Sequence, residues 1–218
     1  MADAITDKPI PEGKMKLLQA SLRLISGSHS LTSLGIRERA REAGLNPNTF
    51  YRHFRDQEEF GLFVLEYIAG QVKQQVRMLR QAARSSDQAA RETINFVYEY
   101  FRVNPAVVTV AVRELYGPSS RLRRAIAAQL EAAAHEMTED TLQRQLVPDV
   151  GRATVLDIAR TVVRYMLFRG MDYIEYPEQQ DAIRRETERF LRRQFLGALT
   201  EHRNPAYAEA VMGSPGSY

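Results

Sequence analysis

The chain reads as an all-α protein, and three observations carry that reading. Apolar residues recur at intervals of three and four almost throughout, which lines them along one face of a 3.6-residue helix. No stretch alternates with period two for long enough to make a strand. The interruptions fall at Gly, Pro, Ser and Asn, residues that stop or restart helices.

Taken in order, Met15, Leu18, Leu22 and Ile25 form the stripe of a first helix from about Pro11 to Ile25, closed by a Ser-Gly-Ser turn at 26–28. A short second helix spans about Leu34 to Ala43. Gly44 suits the position just past a helix C-terminus, where a left-handed backbone penalises a Cβ. Asn46 is a good N-cap, and Pro47 fits a first helical position because its missing N–H had no intrahelical partner. The stretch "NPNTFYRHF" thus restarts a helix barely two turns long. Asp56 caps the next, long enough to bridge two parts of the molecule, and Glu58 and Glu59 complement the positive end of its dipole. Further helices are predicted at about 87–102, 105–115, 119–146, 151–175 and 178–202. Their boundaries fall at Ser85-Ser86, Asn104-Pro105, Gly117-Pro118, Pro148 to Gly151 and Pro177. The tail after Asn204, with Gly213, Pro215 and Gly216, is expected to be loose.

A length of 218 residues favours one compact unit with a smaller module appended, divided here as residues 1–58 and 59–218. The absence of Cys excludes disulfides, Cys-ligated metal and thiol nucleophiles, and favours a reducing, cytoplasmic setting. The amino terminus lacks the basic-then-apolar run of a signal peptide, and no segment offers about 18 uncharged apolar residues, so no membrane association is expected. Charge is unevenly spread. Lys14 to Arg55 carries net +6, while the whole chain carries +3. A basic window of this kind is a candidate footprint for an anionic partner.

Winding the second helix at 100° per residue groups Ile36, Ala40 and Ala43, with Arg37 and Arg41 on an adjoining face. In the restarted helix Phe50 and Phe54 share a side and anchor it, Asn48, Thr49 and Arg52 lie opposite, and Tyr51 and His53 occupy the edges. An Ala-rich helix, a Gly-containing turn and a short helix with polar amino-terminal residues make a helix-turn-helix. Asn48 can pair with base edges, Thr49 can touch a base or a thymine methyl, and Arg37 can reach guanine or phosphate. Tyr51, His53, Arg55 and Lys14 are better suited to phosphates.

The segment "LTSLGIRERAREAGLNPNTFYRHFRDQEEF" resembles the DNA-binding module of TetR-type transcriptional regulators, with an Ala-x-x-Ala-Gly run, a Tyr-x-x-Phe recognition helix and an acidic helix start. The resemblance covers about residues 11–62 and carries DNA contact onto Arg37, Asn48, Thr49, Tyr51 and His53. Two positions depart from the pattern. Arg39 stands where an apolar residue usually packs, so a long stem with a snorkelled head is expected. Gln57 replaces a lysine that commonly touches phosphate. "NPNTFYRHFRD" and "NPAVVTVAVRELYGPSSRLRRAIAAQL" together are similar to the FabR and DesT group, repressors of unsaturated fatty acid synthesis.

That resemblance implies a carboxy-terminal domain that binds ligand and dimerises. The residues agree: "VLDIARTVVRYMLFRGMDYI" is apolar around most of its circumference, and Ile183, Phe190, Leu191, Phe195 and Leu199 make a broad stripe. Pairing of these helices between two copies would form a two-fold four-helix bundle. Two short reading helices held about one DNA turn (~34 Å) apart, or a multiple of it, read a palindrome. The implied effector is a long-chain acyl-coenzyme A rather than a cofactor. Phe96, Tyr100, Val108, Leu115, Tyr116, Met166 and Phe168 are the candidate tunnel wall, and Arg113, Arg121, Arg123 and Arg124 the candidate phosphate contacts. Alternatives in reserve are a regulator of efflux or catabolism sensing another lipophile, and a helical interaction module with an incidental basic patch. Catalysis finds no motif: the four His are scattered, with no His-x-x-x-His spacing, Gly-x-Ser-x-Gly elbow or phosphate-binding glycine loop.

Overall fold

The computed structural model describes residues 10–25, 34–145, 147, 149–206 and 210, which form nine α-helices and no strand. They are α1 (Glu12–Ile25), α2 (Ile36–Glu42), α3 (Asn48–His53), α4 (Gln57–Ala82), α5 (Ser86–Val103), α6 (Pro105–Leu115), α7 (Ser120–Gln143), α8 (Arg152–Glu175) and α9 (Gln180–Arg203), with a 3-10 turn at Pro177–Gln179 before the last. The Ser-Gly-Ser turn at 26–28 and the glycines of the tail lie outside the described residues.

The punctuation residues act as their chemistry demands. Gly44 takes φ +65°, in the left-handed region. The Asn46 side-chain oxygen accepts the Asn48 N–H at 2.9 Å, so it caps the short helix as expected. Asp56 accepts the Glu59 N–H at 2.7 Å, and the Glu59 carboxylate reaches back to accept the Arg55 N–H at 2.7 Å. This reciprocal arrangement satisfies donors at the start of the longest helix.

Two apolar cores share one helix. The first gathers Leu17, Leu18 and Ile25 of α1, Phe50 and Phe54 around α3, and Phe60, Val64 and Ile68 of α4. Ala106, Val107 and Val110 of α6 complete it. The second is built from α5, α8 and α9, again with α6, which contributes Val108. The boundary expected after residue 58 falls in the first turn of α4, and the first core continues along that helix to Ile68. Where α4 begins, Glu58 accepts from Ser119 Oγ at 2.5 Å and pairs with Arg121 at 3.3 Å, tying the start of α4 to the start of α7. In the second core Tyr98 and Tyr173 stack at 4.9 Å, and the Tyr98 hydroxyl bonds Thr187 Oγ1 at 2.7 Å. Burial raises the Tyr98 pKa, so this hydroxyl keeps its proton. Gly170 of α8 lets the Phe101 ring lie directly on its backbone: a Cβ there would stand 2.5 Å from Phe101 Cδ2.

Arg39 corrects the expectation of a snorkelled head. It is fully buried, with its guanidinium 4.5 Å from the Phe60 ring centroid and 5.9 Å from that of Phe50. Aromatic faces, rather than solvent, receive the cation. Desolvation pulls its pKa down to about 10, which leaves it charged at neutral pH.

Candidate nucleic-acid interface and ligand cavity

Helix α3 is six residues long, far below the ~12–15 needed for an isolated helix to persist, so packing must hold it. Phe50 does most of this. It is fully buried, with ring centroids 5.5 Å from Phe54 and 5.8 Å from Phe60. With that side gripped, Asn48, Tyr51 and Arg52 face solvent, while Arg37 and Arg41 are exposed on α2. None of Arg37, Arg41 and Arg52 has an ion-pair partner among the described residues. These cations are available to phosphates.

The other predicted contacts are more engaged. Thr49 and His53 are half-buried toward α1, where a Cβ added to Gly13 would meet His53 Nε2 at 2.5 Å and the Thr49 methyl at 3.5 Å. Lys14 holds its ammonium 4.9 Å from the Phe54 centroid and 5.2 Å from that of Phe63. Arg55 is exposed but bonds Glu59 at 3.1 Å. Gln57 is half-buried. Gly13→Ala should therefore displace the imidazole, which can rotate away, at a stability change within about 1 kcal/mol. Operator affinity is expected to fall several-fold. Anisotropy beside a thermal melt checks this, and unchanged affinity would remove His53 from the interface.

Between α4, α5, α7, α8 and α9 lies a cavity of about 770 Å³, within the ~300–1,000 Å³ usual for small-molecule sites. Its wall is mostly aliphatic, including Ile68, Ile94, Val97, Val110, Leu130 and Met166. Cations occur at Lys73, Arg80, Arg91, Arg185, Arg189 and Arg192. Several are already balanced: Lys73 pairs with Glu136 at 2.7 Å, Arg91 with Asp87 at 2.6 Å and Arg192 with Asp87 at 2.9 Å. Arg185 and Arg189, both exposed, have no ion-pair partner among the described residues. The Thr93 hydroxyl is buried in this wall and finds no hydrogen-bond partner among the described residues.

Of the residues predicted to line a tunnel, this cavity includes Met166. Phe96 and Tyr100 pack on each other at 6.0 Å on another side of α5, which turns Val97 and Phe101 inward instead. Val108 is sealed in the second core and Leu115 packs against it. Tyr116 and Phe168 meet at 6.3 Å on the surface, 74% and 39% exposed. Arg113 is exposed on α6, and the predicted phosphate contacts Arg121, Arg123 and Arg124 stand on the first turns of α7. Arg121 is held by Glu58, and Arg123 donates to the Gly117 carbonyl at 2.5 Å. The cations on the cavity wall were missed because they read as solvated helix faces. Their signal was the spacing of Arg185, Arg189 and Arg192, three to four apart on one side of α9.

No family model matches the chain. Among solved structures it resembles the fatty acid degradation regulator FadR from Bacillus halodurans, with a TM-score of 0.72 and 14% identity over 84% of this chain and 96% of that one. FadR from Bacillus subtilis in complex with stearoyl-CoA superposes with a TM-score of 0.63 at 13% identity, over 83% and 97% of the two chains. Thermus thermophilus FadR, a TetR-family transcriptional repressor in complex with lauroyl-CoA, gives 0.61 at 17% identity, over 83% and 92%. The fold is therefore the all-α TetR architecture, an amino-terminal helix-turn-helix module followed by a larger helical domain. Among the described residues no helix is long and apolar enough to cross a membrane, and no group of His, Asp and Glu could hold a metal ion.

Proposed function

We propose that this protein is a ligand-responsive transcriptional regulator, acting as a repressor, that binds a palindromic operator as a homodimer. The observation that carries the reading is the pairing of two features in one fold. An aromatic-anchored α3 presents Asn48 outward, and a largely aliphatic cavity lies behind it, walled by helices that also enter the reading head's core. In this reading Asn48 and Thr49 contact bases, and Arg37, Tyr51, His53, Lys14 and Arg55 position the phosphate backbone. Dimerisation through α8 and α9 is supported by the apolar Phe168, exposed on α8, and by the Tyr165 and Phe190 rings that stack between the two helices. The protein works in the cytoplasm, carries no cofactor and is not an enzyme.

The effector we assign is a long-chain acyl-coenzyme A. Aliphatic walls suit the chain, and the exposed Arg185 and Arg189 suit the phosphates. Two structural neighbours hold such thioesters. Fatty acid metabolism is the proposed target, and the FabR and DesT resemblance narrows it to desaturation or unsaturated fatty acid synthesis, whereas the first-named neighbour regulates degradation. Operator affinity measured while acyl-CoA thioesters and free lipophilic drugs are titrated in parallel tests the assignment. Thioesters are expected to shift affinity and drugs to leave it; the reverse result would replace the lipid reading with an efflux-type one. Asn48→Ala should relax preference at one base pair per half-site, worth about 1–3 kcal/mol of discrimination.

A further inference from the structure

Nearly every polar group on the cavity wall has a partner or reaches water. Lys73 pairs with Glu136, Arg80 with Asp140 at 3.3 Å, and Arg91 and Arg192 with Asp87. The Thr141 hydroxyl donates to the Met137 carbonyl at 2.7 Å. Ser86, Arg185 and Arg189 are exposed, and Gln129 and Glu188 are half-buried, so solvent can serve them. Thr93 differs from all of these. It belongs to the same wall, is only 8% exposed, and its enclosed Oγ1 has no hydrogen-bond partner among the described residues.

The missing bond sets Thr93 apart from other threonines of this chain. A threonine inside a helix commonly satisfies its hydroxyl by donating to the carbonyl one turn back. Thr138, Thr141, Thr161, Thr187 and Thr200 each do so, at 2.7–2.9 Å. Thr93 lies within α5, with Ala89 one turn back, and makes no such bond. A hydroxyl enclosed without a partner costs the folded chain stability that a valine of the same shape would not. The group turns on one bond, and a helical threonine has two wells open to it, so it can be presented to the cavity without backbone movement. Its neighbours along that wall, Ala89, Ala90, Ile94 and Val97, carry no side-chain hydrogen-bonding group.

We propose that Thr93 is a specificity-determining residue of the cavity: its hydroxyl donates to the carbonyl oxygen of an acyl group whose hydrocarbon chain lies along the aliphatic wall. The proposal rests on the reading above, that this cavity holds a long acyl chain. The two sides match in kind and in number. An acyl ligand brings one strong acceptor at the head of a long apolar run, and the wall brings one enclosed donor without a partner. A lipophile that lacks such an oxygen fills the same volume but leaves the hydroxyl unpaired, and a site with a buried polar group left unpaired discriminates against that occupant. Thr93 thus separates acyl ligands from hydrocarbon-like ones of equal size, a distinction that aliphatic walls make only weakly.

The test uses the full-length protein with palmitoyl-CoA and its thioether analogue, S-hexadecyl-CoA, in which a methylene replaces the carbonyl. Affinities are read by calorimetry for wild type, Thr93→Val and Thr93→Ser, each beside a thermal melt without ligand. Thr93→Val is expected to weaken palmitoyl-CoA about tenfold, the order of one neutral hydrogen bond, and the thioether less than twofold. Thr93→Ser, which keeps the hydroxyl, should hold palmitoyl-CoA within about threefold of wild type. The unliganded valine variant is expected to melt no lower than wild type, since it loses no bond. Palmitate run in parallel distinguishes a carboxylate from a thioester oxygen as the acceptor, and the valine change should weaken whichever binds. Equal losses of thioester and thioether would assign Thr93 to packing alone and overturn the proposal. Undiminished palmitoyl-CoA binding by the valine variant, or a lower melting temperature, would overturn it too. Absence of binding heat from every ligand, with wild type as with the variants, would instead remove the functional reading, and this proposal with it.

Discussion

Phe50→Ala is expected to abolish operator binding while leaving the larger domain folded. Phe50 is fully enclosed by Phe54, Phe60 and the buried Arg39, and α3 has too few turns to persist without that contact. Truncating a core phenylalanine costs about 3–5 kcal/mol, a sum of lost transfer energy and the cavity left behind. It also strips a π-face from the Arg39 guanidinium, which has no exposed surface through which to recover water. The second core contains no atom of Phe50, so its melting should persist as a separate, later transition. Calorimetric scanning with operator anisotropy checks both halves of the statement. A variant that still binds the operator with wild-type affinity would show that α3 is not the reading element.

Salt should act almost as strongly. The chain exposes Arg37, Arg41, Arg52 and Arg55 around α2 and α3, and the proposed dimer would present the set twice. Neutralising about six to ten phosphates releases their counterions, so operator affinity is expected to fall by about 10³–10⁵ between 50 and 200 mM salt. The slope of log affinity against log salt reads the number of contacts directly, at about 0.9 per phosphate. Arg37→Ala should shallow that slope by about one if the residue meets phosphate, and leave it unchanged if it reads a base. A flat salt response would exclude nucleic acid as the partner.

How much of this was legible in the sequence depended on how local the physics was. Gly44, Asn46 and Asp56 announced themselves because capping involves only the next two or three residues, and each sits as its chemistry required. The aromatic anchor was legible for the same reason, since Phe50 and Phe54 are one turn apart. Arg39 was not. Its sequence neighbours say surface, and the rings that close over it, Phe60 and Phe50, stand 21 and 11 positions away. The cavity was the least legible part. Aromatic residues drew attention to Phe96 and Tyr100, but which side of α5 faces inward is decided by α4, α8 and α9, and those helices select Ile94, Val97 and Phe101. Helix periodicity identifies stripes; it does not say which of two apolar stripes meets a hollow.

Gly170 lies outside both the cavity wall and α3, yet the ring it supports, Phe101, is part of that wall. The missing side chain sets how deeply α8 can settle against α5, and any larger residue would displace a ring that forms part of the cavity wall. With the proposed effector in that cavity, a genetic screen for alleles that no longer respond to it should recover changes at this silent crossing as readily as at residues that line the cavity.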